Sequence, residues 1–115
     1  MRDKIKDKSR LEHILESINY IFDFTQGLDF DGFKTDVKSQ FAIIKNLEII
    51  GEASYKLTNE FREQHPEVSW RKVIGLRHVL VHGYYQIKLE IIWEIIQNDL
   101  LSLKEKMQRL YDNAI

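Results

Sequence analysis

Residues 9–25 read SRLEHILESINYIFDFT, and the spacing within this stretch decides the fold class. Leu11, Ile14, Leu15, Ile18, Ile21, Phe22 and finally Thr25 recur at intervals of three and four, the period that gathers side chains on one face of an α-helix. Ser9 and Glu12 open the run as an S-x-x-E capping box, in which the two side chains satisfy free backbone N–H groups of the first turn. A first helix is expected from Ser9 to about Thr25, stopped by Gly27.

Leu28 to Lys34 mixes Phe30 and Phe33 with Asp29, Asp31 and Gly32, and reads as a connection with one turn in it. A second, longest helix is expected from about Thr35 to Gln64. Ile43, Leu47, Ile50, Leu57 and Phe61 line one stripe of it, and Phe41 and Ile44 widen that stripe, so its middle should pack on more than one neighbour. Gly51 costs about 1 kcal/mol of helix propensity against alanine; with Ala53 beside it, the usual reason is close approach of another helix. Pro66 disfavours helical geometry at His65 and ends the element.

Ser69 is the expected N-cap of a third helix, Trp70 to about His82, closing at Gly83. Tyr84 to Lys88 reads as a short aromatic loop. A fourth helix then starts near Leu89, with Leu89, Ile92, Trp93, Ile96, Leu100, Leu103, Met107 and Leu110 on one face. Ile91 and Ile95 fall outside that stripe and are candidates for contact with a second subunit. The expected fold is all-α: an antiparallel bundle of about four main helices, in a single domain covering residues 1–115.

Composition agrees. Glycine and proline together are 6 of 115 residues, five plus one, far below average usage and too few for the turns of an all-β fold. The absence of cysteine excludes disulfides and thiolate metal sites, and suits a reducing, cytoplasmic setting. No apolar run exceeds four residues, Phe41 to Ile44, so no membrane span is expected. The first ten residues, MRDKIKDKSR, lack the apolar core of a signal peptide. Seventeen basic and eighteen acidic side chains give net −1, so bulk charge does not advertise nucleic acid.

One stretch departs from that balance. The 22 residues between Glu67 and Glu90 carry no carboxylate, yet hold Arg71, Lys72, Arg77 and Lys88 with His78 and His82. Cations without competing carboxylates stay free to pair with phosphate; the alternative is a chance gap on a solvated helix whose cations pair with helix two. The centre of the gap reads Arg77-His78-Val79-Leu80-Val81-His82-Gly83-Tyr84-Tyr85. Arg77 and His82 would stand about 140° apart on an ideal helix, so a joint site needs a frayed last turn before Gly83 or two copies meeting across a dimer axis.

Arginine, histidine and no metal suit RNA cleavage by internal transfer. The 2′-hydroxyl attacks the adjacent phosphorus, a base takes its proton, an acid protonates the leaving 5′-oxygen, and a cation stabilises the phosphoryl oxygens. Histidine serves either proton step near neutral pH, and arginine offers a planar fork matched to phosphate. A helix C-terminus favours a cationic imidazole at His82. Structural roles stand beside these. Arg77 could bridge to Glu48 or Glu52, His82 could cap the helix end, and Tyr84 and Tyr85 could pack over it. His78, one step from Arg77, should point elsewhere, and His13 and His65 have no companion that suggests a metal site.

Arg77-x4-His82-x-Tyr84 resembles the R-x4-H-x-Y motif of the HEPN superfamily, in its HepT-like toxin branch. The likeness covers most of the chain. Asn46-Leu47-Glu48-Ile49-Ile50-Gly51-Glu52-Ala53 resembles that branch's second-helix segment, His65 to Arg71 its lead-in to the motif helix, and Gln97-Asn98-Asp99-Leu100 its final-helix segment. The resemblance implies a metal-independent endoribonuclease without cofactor, acting as a homodimer on RNA such as tRNA or mRNA at a composite cleft. Arg77 would hold the scissile phosphate and His82 would move protons. Its implied partner is an MNT-type nucleotidyltransferase antitoxin, which would attach AMP to Tyr84 and block the site by charge and bulk. Arg71, Lys72 and His78 would be candidate RNA contacts, and Asn46, Glu48 and Glu52 would support the motif from helix two. Two positions depart from the family pattern: His78 replaces a polar residue, often asparagine, and Lys88 replaces an acidic N-cap. The alternative function is a non-catalytic HEPN module that binds a nucleotidyltransferase or a nucleotide.

Overall fold

The computed structural model describes residues 2–78 and 88–114. Among these every regular element is helical and no strand occurs. The order is α1 (Arg2–Thr25), α2 (Phe30–Thr35), α3 (Val37–Lys56), α4 (Asn59–Gln64), α5 (Trp70–Gly75) with a 3₁₀ turn Leu76–His78, α6 (Leu89–Glu94), a π-helical turn Ile95–Asp99, and α7 (Leu100–Asn113).

α1 is the hub. Its stripe of Leu11, Ile14, Leu15, Ile18 and Ile21 is buried between α3 and α7. Both neighbours run antiparallel to it. Asp7 near its start meets Thr58 beyond the end of α3, and Lys8 and Phe22 of α1 meet Tyr111 and Lys104 of α7 in reversed order. From α3, Ile43, Ile44, Leu47 and Ile50 complete the core, and the same helix also carries α5 and the 3₁₀ turn on another face. The widened stripe of α3 therefore has the several neighbours that Ile44 implied, although Phe41 remains largely exposed. The stripe of the last helix is inside as read: Ile92, Ile96, Leu100, Met107 and Leu110 are all buried.

Several boundaries differ from the sequence reading, each for a physical reason. α1 begins at Arg2, not at Ser9; Ser9 and Glu12 lie on its exposed side, and the preceding Lys- and Arg-rich turns have good helix propensity. Those turns are anchored by Asp7, which is buried. Its carboxylate accepts the Thr58 N–H at 2.9 Å and the Thr58 hydroxyl at 2.7 Å. The same contact divides the expected second helix. Leu57 leaves helical geometry with φ −61° and ψ 145°, and Thr58 restarts the chain as N-cap of α4, accepting the Phe61 N–H at 3.2 Å. Replacing Asp7 by alanine removes the carboxylate acceptor and strands a part-buried N–H, at a cost of about 2–3 kcal/mol. The expected result is a Tm lower by roughly 10 °C, read by circular dichroism.

The connection after α1 is a short helix. Gly27 ends α1 with φ 78°, the left-handed geometry of a helix C-terminus. Asp29 caps α2 by accepting the Gly32 N–H at 2.8 Å, and Phe33 is fully buried against Trp93, with ring centroids 5.3 Å apart. Asp36 caps α3 through the Ser39 N–H and hydroxyl, and those two hydrogen bonds hold its carboxyl below the ordinary carboxylate value. Pro66 ends α4 as expected, with His65 outside helical geometry at φ −128°, ψ 66°. Lys88 begins α6 without a side-chain cap bond. The last helix is interrupted by the π turn at Ile95–Asp99; Ile95 is partly buried against the core, and of the expected Ile91–Ile95 surface only Ile91 stays exposed. No helix among the described residues is long and apolar enough to cross a membrane.

Candidate active site

Arg77 is positioned by its backbone before its side chain acts. α5 starts at Ser69, whose carbonyl accepts the Lys72 and Val73 N–H groups at 3.0 and 3.1 Å, while its side chain makes no cap bond. Val68 and Val73 sink into the core, and the Trp70 indole N–H donates to the His65 carbonyl at 2.8 Å. After Gly75 the helix tightens to the 3₁₀ turn, and Arg77 lies in that turn against α3. A Cβ added to Gly51 would stand 2.3 Å from the Arg77 nitrogen and 3.0 Å from its Cα. No side chain fits between these backbones, which is why glycine sits in the middle of a helix where it costs stability.

The guanidinium of Arg77 lies over the Tyr55 ring, 3.7 Å from its centroid, a cation–π contact that fixes its plane. Nη1 is 3.9 Å from Oε2 of Glu52, too far for a hydrogen bond. Nε donates to Nε2 of His78 at 3.2 Å. Among the described residues the terminal guanidinium nitrogens make no hydrogen bond, and the side chain keeps 24% of its surface exposed. A flat, oriented and partly open guanidinium can grip two oxygens of a phosphate.

The other candidate residues divide sharply. Glu52 reaches Arg77, but Glu48 pairs with Lys45 of its own helix at 3.8 Å. The Asn46 amide is buried and donates back to the Ala42 carbonyl at 2.8 Å. His78, expected to point elsewhere, instead accepts from Arg77; the 3₁₀ turn brings the neighbours together. Arg71 and Lys72 are exposed on α5, and neither they nor Lys88 takes part in an ion pair among the described residues. Lys72 borders a groove of about 430 Å³ with Asp99 and Lys106. His82, Gly83, Tyr84 and Tyr85 lie outside the described residues. His65 pairs with Glu67 at 3.5 Å and packs on Phe61. Among the described residues no group of three or more histidine, aspartate or glutamate side chains could hold a metal ion. Tyr55 escaped the sequence reading. The signal was present, since it stands three and four residues after Glu52 and Gly51 on the same helical face.

A family model described as ribonuclease HepT-like matches residues 14–110. The chain belongs to the ribonuclease HepT-like family. Among its HepT-like relatives is a protein of Thermococcus cleftensis named a probable ribonuclease HepT, 41% identical over 93% of this chain and 97% of the relative. A Methanocaldococcus jannaschii protein with an RNase name is 39% identical, over 88% of this chain and 93% of its own length. Another from Caldanaerobacter subterraneus is 36% identical, over 87% and 89%. No solved structure matches the chain. The HepT-like match takes in Gly51, Tyr55 and the whole Arg77 to Tyr84 segment. It places the chain among ribonuclease-type enzymes on an all-α bundle.

Proposed function

We propose that this protein is a metal-independent endoribonuclease toxin of a HEPN/MNT pair, a single domain over residues 1–115 that works as a homodimer. The observation that carries the reading is the presentation of Arg77: backbone seated on Gly51, guanidinium laid on Tyr55, and terminal nitrogens that make no hydrogen bond among the described residues. Arg77 neutralises the non-bridging oxygens of the scissile phosphate as charge builds on them. His82 of one subunit takes the proton of the 2′-hydroxyl, whose oxygen attacks phosphorus. His82 of the other subunit protonates the departing 5′-oxygen. The products are a 2′,3′-cyclic phosphate and a free 5′-hydroxyl. Arg71 and Lys72 extend the phosphate contact. Adenylylation of Tyr84 by an MNT-type nucleotidyltransferase sets an anionic, bulky group two residues from His82 and blocks RNA.

Expression in a bacterium tests this directly. The wild type is expected to arrest growth, and His82→Ala is expected to be harmless at equal protein level. Co-expression with an MNT-type nucleotidyltransferase should restore growth and add adenylyl mass to the peptide holding Tyr84. If both forms are equally harmless and the purified protein leaves RNA intact, the chain is a non-catalytic partner module instead.

A further inference from the structure

A second basic feature lies outside the acid-free segment. α1 and α3 border a groove of about 400 Å³, floored by Ile49 and Ala53. Lys6, Arg10 and His13 reach it from α1, and Lys56 from α3; its one carboxylate is Glu52. On α1, Arg2, Lys6 and Arg10 follow one another at intervals of four. Like charges at that spacing repel across a helix face, each pair costing a few tenths of a kcal/mol. Among the described residues Lys6, Arg10 and Lys56 take part in no ion pair. The nearby Asp7 is turned inward to Thr58. A row of unpaired cations over an apolar floor is suited to an anionic strand.

The groove has a direction. Glu52, at its edge, is the side chain whose Oε2 stands 3.9 Å from Nη1 of Arg77, so the groove opens beside the candidate active site. From Lys6 to His13 is about 10 Å of helix rise, over which a stacked strand presents about three phosphates. We infer that this α1–α3 groove holds the phosphodiester backbone of the substrate RNA next to the scissile position, with Lys6, Arg10 and Lys56 as phosphate contacts. The inference rests on the ribonuclease reading for its choice of ligand. An incoming phosphate would take the place of Glu52 on Arg77, clearing the carboxylate from the path.

Binding separates this inference from catalysis. A fluorescent 2′-O-methyl oligonucleotide keeps the phosphates but lacks the nucleophile, so its anisotropy reports binding alone across a salt series. Lys6→Ala/Arg10→Ala/Lys56→Ala is expected to weaken binding at least about tenfold and to lower the salt slope by about two, three lost contacts at roughly 0.7 each. The charge-preserving Lys6→Arg/Arg10→Lys/Lys56→Arg should bind like wild type, as should Arg109→Ala on α7. If the triple alanine variant does not fold, Lys56→Glu alone should reproduce the direction of the loss. Unchanged affinity and slope in the folded triple variant or in Lys56→Glu would overturn the inference, as would a wild type that does not bind. Cleavage of unmodified RNA is scored separately. Failure there with groove-dependent binding intact condemns the catalytic reading, and cleavage without groove dependence condemns this one.

Discussion

Gly51→Ala should cost most of the RNA cleavage and lower Tm, although alanine is the better helix former. At an unhindered helical position the change stabilises by about 1 kcal/mol. Here the new methyl would meet the Arg77 backbone nitrogen at 2.3 Å, and backbone cannot swing aside as a flexible side chain can. Overpacking of this kind costs about 1–3 kcal/mol, enough to reverse the sign. The relief is for α5 and its 3₁₀ turn to move off α3, which takes Arg77 away from Tyr55 and Glu52. A displacement near 1 Å is enough for about a hundredfold loss in rate. Gly75→Ala is the matched control. A Cβ there meets nothing within 4 Å among the described residues, so activity should hold and Tm should stay level or rise.

Arg77→Ala should lower kcat/KM by about 10²–10³, the range lost when one oriented donor to a developing oxyanion is removed. The fold should survive, because the guanidinium lies over an exposed tyrosine ring and pairs with an exposed glutamate. Arg77→Lys keeps the charge but neither the planar stack nor the two-pronged grip, and should fall between wild type and alanine. Tyr55→Leu separates the two contributions. With the charge intact but its platform gone, cleavage should fall by a smaller factor than in Arg77→Ala. Steady-state kinetics on a short single-stranded RNA, with melting curves for each variant, measure all of these. A full-rate Arg77→Ala enzyme would remove arginine from the mechanism.

The features written into local sequence were legible. Gly27 and Pro66 act through their own backbones, so the ends of α1 and α4 follow from the residues alone. The apolar stripes named which side chains are buried, and Gly51 announced a close neighbour without saying which. What was missed depends on contacts distant in sequence. Thr58 breaks the long helix because Asp7, 51 residues earlier, waits for its N–H and hydroxyl. Nothing within Leu57 to Asn59 demands that break. The π turn at Ile95–Asp99 likewise adds no residue type that a regular helix would refuse. At the site, the acid-free segment named Arg77, and the face of α3 named Glu52. The Tyr55 platform and the Arg77–His78 contact need the 3₁₀ turn, which shifts directions that helical spacing predicts.

One measurement bears on all of this. Purified wild type and His82→Ala are incubated with single-stranded RNA in excess EDTA, and the 3′ ends of the fragments are analysed. Fragments ending in 2′,3′-cyclic phosphate are expected from the wild type, with a rate lower by at least about 10² for His82→Ala. Intact RNA with the wild type, or equal cleavage by both proteins, would contradict that mechanism.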